Sequence, residues 1–388
     1  MQQIKISSIT LFTLLYFHYL LAQLIAYDTT GQYSYAYRVE NIVGQFETMN
    51  NSRIYYPDSI GQIPLSAVPC PIIVFGHGYQ MGIDRYYTYA QHLASWGYVV
   101  VLPTISNPFP TPEHYTRAHS MKDAAQWTAN KNWVTNDIFH NKLDVTNWGF
   151  VGHSMGGGIA LLAADTFRLT DTLRAVVSFA SPQTTPATHA ENLFVPKMIL
   201  AGSVDNIAPW QQIRQAYWQN APAPGSFAVI NGANHGFFMD YSYFWENGGT
   251  ATITRAQQQK TSRLYMTAYF ERYLHNDTSN WNYLYCYGDS LRYSSVMDSV
   301  EIKYNPSYLN DEINYSNTHL RCQIFPNPVN NYCNIIGAPT SGKIYDSAGQ
   351  LIDHITIPTQ WHPGQNLKNG VYFLHTANNH LQKLIILR

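Results

Sequence analysis

Between Pro69 and Leu274, short apolar runs alternate with helical patterns, and few folds accept that order. The run CPIIVFG from Cys70 is apolar, β-branched and closed by glycine, as a strand buried on both faces should be. YYTYAQHLASWGY then has helical character up to Gly97, and VVVLPT is the next strand. TRAHSMKDAAQWTANK predicts a helix, NWGFVGHS a strand and GGGIALLAADTF a helix. LRAVVSFAS and PKMILAGSVD follow as strands, WQQIRQAYWQN as a helix, GSFAVINGANH as a strand and RAQQQKTSRLYMTAYFERYLH as a long final helix. This alternation predicts an α/β domain built on a doubly wound, mostly parallel sheet with helices on both faces. Ligands of such sheets bind beyond the carboxyl ends of the strands. Gly78, Ser154, Asp205 and His235 all fall on that rim.

Ser154 stands in Gly152-His153-Ser154-Met155-Gly156, directly after a strand and directly before a helix. G-x-S-x-G at a strand-to-helix corner needs glycine on both sides because a Cβ at either place would clash. The corner exposes the hydroxyl, and the helix N-terminus behind it favours developing negative charge. Two phosphate-binding readings fail on residues: a P-loop requires Lys where Gly158 stands, and a dinucleotide fingerprint requires Gly where Ser154 stands. A nucleophilic serine needs a base and a carboxylate to orient it. Asp205, in AGSVDNIAP, and His235, in NGANHGFF, each follow a strand and arrive in the order Ser, Asp, His. Asp240 follows His235 and is out of order, while Asp165 and Asp171 belong around the helix after the corner as solvated or capping groups. His153 is expected to pack, His77 to support the loop after the first strand, and His189 to lie in a polar loop without a specific task. For an oxyanion, the expected donors are the main-chain N–H groups of Met155 and of Tyr79 in FGHGYQ. Gly288-Asp289-Ser290-Leu291 carries another esterase class's nucleophile motif, but no D-x-x-H pair follows it.

The ends of the chain differ from this centre. MQQIKISSITLFTLLYFHYLLAQ has Lys5 in a polar head and an apolar run from about Ile9 to Leu21, too short to span a bilayer, which predicts a signal peptide over 1–22. No later segment is apolar enough to cross a membrane. A catalytic domain is expected over 23–305, a polar linker over 306–321, and a small all-β, sandwich-like domain over 322–388 with runs such as YCNIIG, GKIYDSAGQLI, GVYFLHT and LQKLIILR. Charged residues are only 12%, and the net charge of −1 offers no basic surface for nucleic acid. Thirty tyrosines and nine tryptophans suit contact with sugars, polymers or aromatic esters. Cys70, Cys286, Cys322 and Cys333 match no metal spacing; Cys322 and Cys333 are near enough in sequence to pair, and Cys70 and Cys286 suit buried thiols. No cofactor is expected.

Taken in order, VFGHGY, HLASWGYVVVLP, VGHSMGGG, AGSVDNIAP and NGANHGFF resemble the α/β-hydrolase superfamily. Within it the chain is similar to bacterial cutinases and polyester hydrolases, and to chlorophyllase-like and dienelactone-hydrolase-like enzymes. The resemblance implies a serine hydrolase of carboxylic esters with Ser154, Asp205 and His235 as triad and Tyr79 and Met155 as oxyanion donors. A lipase, an acetylhydrolase, a peptidase-like hydrolase and a non-catalytic binding protein are the alternatives. In polyester hydrolases a Trp usually stands on the loop after the strand that follows the corner helix; here SFASPQTTP has Gln183 near that place and no Trp. Gln183, Trp210, Phe237 and Phe238 are the candidate pocket residues, with Trp245 a further aromatic nearby. The tail, with IFPNPVNN, IYDSAGQLI, LKNGVYFLH and LQKLIILR, resembles the C-terminal sorting domain of type IX secretion substrates. It implies the secretion machinery as partner, and secretion or cell-surface attachment.

Overall fold

The computed structural model describes residues 27–106, 108, 110, 113–167, 169, 172–277, 280, 284, 296–303, 323–325, 329, 332–336, 341–356, 359–376 and 381–387. The expected signal peptide and linker, Cys286, Cys322, Asp171 and the Gly288–Leu291 motif lie outside them. The chain divides into two units, one formed by residues up to Asn280 with Ser294–Lys303, the other by the remainder.

The first unit is built on nine strands in the order β1-β2-β4-β3-β5-β6-β7-β8-β9. They are β1 (Ser34–Val43), β2 (Thr48–Asp58), β3 (Cys70–Gly76), β4 (Val99–Leu102), β5 (Leu143–His153), β6 (Leu173–Phe179), β7 (Lys197–Gly202), β8 (Gly225–Ile230) and β9 (Met297–Lys303). The six central strands, β4 to β8 in that order of neighbours, run parallel. Antiparallel partners close both sides: β2 against β4 with β1 beyond it, and β9 against β8. Every residue of β3, β4, β7 and β8 is buried, as expected of strands covered on both faces by helices. The helices are α1 (Tyr87–Ser95), α2 (His114–Asn130), α3 (Met155–Phe167), a short α4 (Trp210–Ile213) and α5 (Arg255–Leu274). Thr254 caps α5: its Oγ1 accepts from Gln257 N–H at 3.2 Å while Gln257 Oε1 accepts from Thr254 N–H at 2.9 Å.

The topology itself locates a crevice. From β3 the chain crosses to β4 on one side, then returns to β5 on the other. Such a reversal leaves a gap at the carboxyl ends of β3 and β5. Those ends are Gly76 and His153, immediately before the loop of Gly78 and before Ser154.

Three features depart from the sequence expectation. The hairpin β1–β2 precedes the first expected strand, and β9 completes the sheet where only a domain end is expected. The expected helix WQQIRQAYWQN is α-helical only over Trp210–Ile213 and continues as a π-turn over Arg214–Trp218.

The second unit, seen by itself, has a three-stranded sheet, β10 (Gln323–Phe325), β11 (Cys333–Ile336) and β14 (Thr359–Trp361). Its four-stranded sheet has β12 (Ser341–Asp346), β13 (Leu351–Thr356), β15 (Gly370–Thr376) and β16 (Leu381–Ile386). Both are antiparallel and share one core, with Cys333, Ile335 and Trp361 from one sheet and Ile344, Leu374 and Leu384 from the other.

Candidate active site

At the corner between β5 and α3, Ser154 has φ +55°. A non-glycine residue there carries strain of about 1–3 kcal/mol, so its surroundings must hold it. They do so through Ser154 N–H, which donates to Phe179 O at 2.8 Å, and Ser154 O, which accepts from Gly158 N–H at 3.1 Å. The flanking glycines are required by close approach: a Cβ on Gly152 would collide with the backbone of Gly156, and one on Gly156 with the carbonyl of Gly76. Backbone meets backbone at both places, so no side-chain movement relieves either clash.

Beyond β7, both oxygens of the Asp205 carboxylate are engaged. Oδ1 accepts from the N–H groups of Ile207 and Ala208, each at 2.9 Å, and Oδ2 lies 2.8 Å from Nδ1 of His235. The Asp205 side chain is inaccessible and that of His235 is 5% exposed. Since a carboxylate can only accept, His235 carries a proton on Nδ1, and in the neutral ring Nε2 is the basic nitrogen. The loops bearing the two residues interlock: Asn206 N–H donates to Gly248 O at 2.7 Å, and a Cβ on Gly248 would come within 2.9 Å of His235 Cβ. The His235 ring is 4.6 Å, centroid to centroid, from that of His153, the residue before Ser154. Serine corner and Asp–His pair therefore share one end of the sheet.

The loop after β3 is fixed one peptide plane at a time. Gly78 O is the acceptor for Met81 N–H at 3.1 Å and lies 2.9 Å from Nδ1 of His77. Nε2 of His77 faces Ile105, 3.1 Å from its N and 3.0 Å from its O. Burial lowers the His77 pKa and keeps it neutral. In a trans peptide the C=O and the following N–H point oppositely, so anchoring Gly78 O also aims Tyr79 N–H. Among the described residues, neither Tyr79 N–H nor Met155 N–H is engaged by a backbone carbonyl.

The remaining candidates lie in differing surroundings. Trp210, half-buried at the start of α4, packs against the main core. Phe237 is half-buried with the Arg255 guanidinium 4.5 Å from its ring centroid. Phe238 is wholly buried and stacks on Phe179, 5.5 Å between centroids, as part of an aromatic floor below His153 and His235. Gln183 is exposed on the loop after β6. Trp245 is exposed and stacked on Tyr243 at 4.8 Å.

Asp165 is buried rather than solvated: it accepts from His189 N–H at 2.7 Å and from Asn192 Nδ2 at 2.9 Å, tying down the turn that contains His189. Asp240 anchors Thr88 at the start of α1, and burial raises its pKa. Cys70 is a buried thiol whose Sγ donates to Ala67 O, and burial pushes its pKa up to about 12.

Three supporting residues have no motif to announce them. Gln258 on α5 brackets the peptide groups of Asn234, accepting from its N–H at 3.1 Å and donating to its O at 2.8 Å, directly before His235. Arg255 donates to Gly236 O and Met239 O just after it. Tyr86 joins the loop of Gly78 to His153. Polar residues on the buried stripe of an amphipathic helix are the only sequence signal for Gln258.

A strained serine at a strand-to-helix corner, with a buried Asp–His pair on the same rim of a mostly parallel sheet, is the arrangement of the α/β-hydrolase class. Residues 26–301 match the PET hydrolase-like family, and the chain belongs to it, a family of carboxylic ester hydrolases. Residues 323–387 match the secretion system C-terminal sorting domain, in keeping with secretion or surface attachment by the type IX route. Among curated proteins the chain is similar to Lipase 1 of Moraxella sp. (strain TA144), 29% identical over 143 residues, which are 37% of this chain and 41% of that lipase. The match thus spans less than half the length of that lipase. No helix among the described residues is long and apolar enough to cross a membrane.

Proposed function

We propose that Ser154, His235 and Asp205 are the triad of this esterase and that Tyr79 and Met155 supply its oxyanion donors. The observation that carries the reading is the Asp205–His235 pair, buried and 2.8 Å apart, on the rim where Ser154 is held at positive φ. Ser154 Oγ attacks the ester carbonyl while His235 Nε2 takes its proton. The imidazolium that forms is stabilised through Nδ1–H by Asp205. The N–H groups of Tyr79 and Met155 donate to the tetrahedral oxyanion. Collapse breaks the carbonyl–alkoxide bond, and His235 returns the proton to the leaving oxygen. Water, deprotonated by His235, then attacks the acyl-serine, and the carboxylic acid departs with Ser154 restored. No step requires a cofactor.

Trp210 and Phe237 are proposed to contribute apolar surface to the acyl site, and Phe238 to support it from below. Gln183, where polyester hydrolases carry an aromatic clamp residue, is proposed to leave the site more open and more polar on that side. Residues 23–305 are proposed as the catalytic domain, 306–321 as linker and 322–388 as the export tail.

The test is hydrolysis of nitrophenyl esters of increasing acyl length by wild type and Ser154→Ala. The proposal expects turnover by the wild type alone, with the series locating the acyl preference. Turnover that survives in Ser154→Ala would sink it.

A further inference from the structure

Tyr86, wholly buried at the end of a short 3-10 turn, touches both halves of the site. Its Oη is 3.0 Å from Gly78 N and 3.0 Å from His153 Nδ1. The direction of these bonds follows from what each group can do. Gly78 N–H is only a donor, so Tyr86 Oη accepts from it. If His153 also donated from Nδ1, the hydroxyl would accept twice and its own hydrogen would be left without an acceptor in the interior, at the cost of an unmade bond. The other tautomer would leave two buried groups unmatched, the Tyr86 hydrogen and the His153 Nε2 lone pair, so Tyr86 donates to His153 Nδ1 and His153 carries its proton on Nε2. Burial and the neighbouring His235 both push the His153 pKa well below the ordinary imidazole range. Position 78 is where the three groups converge: a Cβ there would lie 3.0 Å from Tyr86 Oη and 3.6 Å from His153 Nδ1.

We propose that Tyr86 is a positioning residue for catalysis: the chain Gly78 N–H to Tyr86 Oη–H to His153 Nδ1 sets the oxyanion loop against the serine corner. The proposal rests on the triad and oxyanion assignment above. His77 anchors the carbonyl side of Gly78 and Tyr86 its amide side. Two successive peptide planes are thereby fixed, and the second carries the Tyr79 N–H. On the other side His153 adjoins Ser154 in sequence, so the hydroxyl ties one oxyanion donor to the nucleophile through two bonds. The Tyr86 ring packs against Phe75, 5.0 Å between centroids, a contact that phenylalanine would keep.

The experiment uses the full chain and Tyr86→Phe, read in three ways with Ser154→Ala as control. Removing one oxyanion donor typically lowers kcat about 10²–10³-fold. Loosening a donor should cost part of that, so kcat on nitrophenyl butyrate is expected to fall about 10-fold or more with KM within about threefold. Inhibition by phenylboronic acid, whose serine adduct is tetrahedral and anionic, is expected to weaken in parallel with kcat. In the wild type, imidazole nitrogen NMR at neutral pH is expected to show His153 as the neutral Nε2–H tautomer, a readout that does not depend on the variant folding. Unchanged kcat, a loss carried by KM, boronate affinity unmoved, or His153 protonated on Nδ1 each overturns the proposal. If Ser154→Ala stays active, it is the underlying assignment of the site that fails.

Discussion

Replacing Asp205 by Asn and by Ala separates its two tasks, orienting His235 and closing its own loop. Oδ1 accepts from two backbone N–H groups, at Ile207 and Ala208, and Oδ2 accepts from His235 Nδ1–H. In Asp205→Asn the amide oxygen has to stay on the two backbone donors, because the NH2 group there would set donor against donor. The NH2 group then faces His235 Nδ1 and selects the tautomer with its proton on Nε2, which cannot take a proton from Ser154. The expected loss in kcat is about 10⁴-fold, or roughly 5.4 kcal/mol of barrier, as for the corresponding change in other triads. Asp205→Ala leaves the tautomer free but strands both backbone donors, at about 1–3 kcal/mol each. For a domain of this size each kcal/mol lowers Tm by about 2–4 °C. Asn is thus expected to cost at least as much activity as Ala, and Ala clearly more stability than Asn. Nitrophenyl butyrate kinetics and thermal melts of both variants test this crossing. Asp205→Asn retaining more than about 1% of kcat, or melting below Asp205→Ala, would refute the reasoning.

Gly156→Ala places a methyl against the Gly76 carbonyl and should abolish soluble expression or lower Tm drastically; a well-folded, active Gly156→Ala would contradict the packing at the corner. Gln258→Met removes both bonds to Asn234, so kcat and Tm should fall together, a result checked by kinetics and melts. Stability should also depend on pH. Burial depresses the pKa of His77, His92 and His153 in the folded state, that of His92 to about 3. Below about pH 6.5 the unfolded chain binds protons that the folded chain refuses, so stability is full above that value and falls as pH drops from 6.5 toward 3, by up to ~1.4 kcal/mol per pH unit for His92, with His77 and His153 acting in the same direction. Asp240, whose pKa burial raises, opposes this at the acid end. Urea melts between pH 7.5 and 4.5 measure the slope, and a flat profile would contradict it. Truncation after Lys303 keeps β9 and should retain ester hydrolysis, whereas truncation after Asp277 exposes the edge of β8 and should yield aggregated protein. Size-exclusion chromatography and kinetics distinguish the two.

The parts of this fold legible in the sequence are those whose burial is carried by their own residues. CPIIVFG, KMILAG and GSFAVI are apolar throughout because both faces of each strand are covered. The Ser154 corner is legible because its glycines answer to backbone contacts that any such turn must make. Where burial comes from a partner distant in sequence, the signal fades. Of β1 only Ile42 is buried, so an edge strand rich in tyrosine carries little apolar periodicity. No residue of β9 is fully buried, and it belongs to the sheet through its pairing with β8. Its Glu301 also receives Arg214 and the Trp218 indole N–H, at the segment where the expected helix turns from α to π. Asp205 and His235 could be read from chain order and loop position, but nothing distinguishes Tyr86 among thirty tyrosines. Its place depends on a loop that folds back so that residue 86 meets residue 78.

The central claim is that Ser154 is the nucleophile. Diethyl nitrophenyl phosphate transfers a phosphoryl group to an activated serine and leaves it there, and peptide mass spectrometry then identifies the residue. One phosphoryl group on Ser154, acquired in step with the loss of esterase activity and absent from Ser154→Ala, is the predicted result. Inactivation with the label on any other residue, or full activity with Ser154 labelled, would contradict the account.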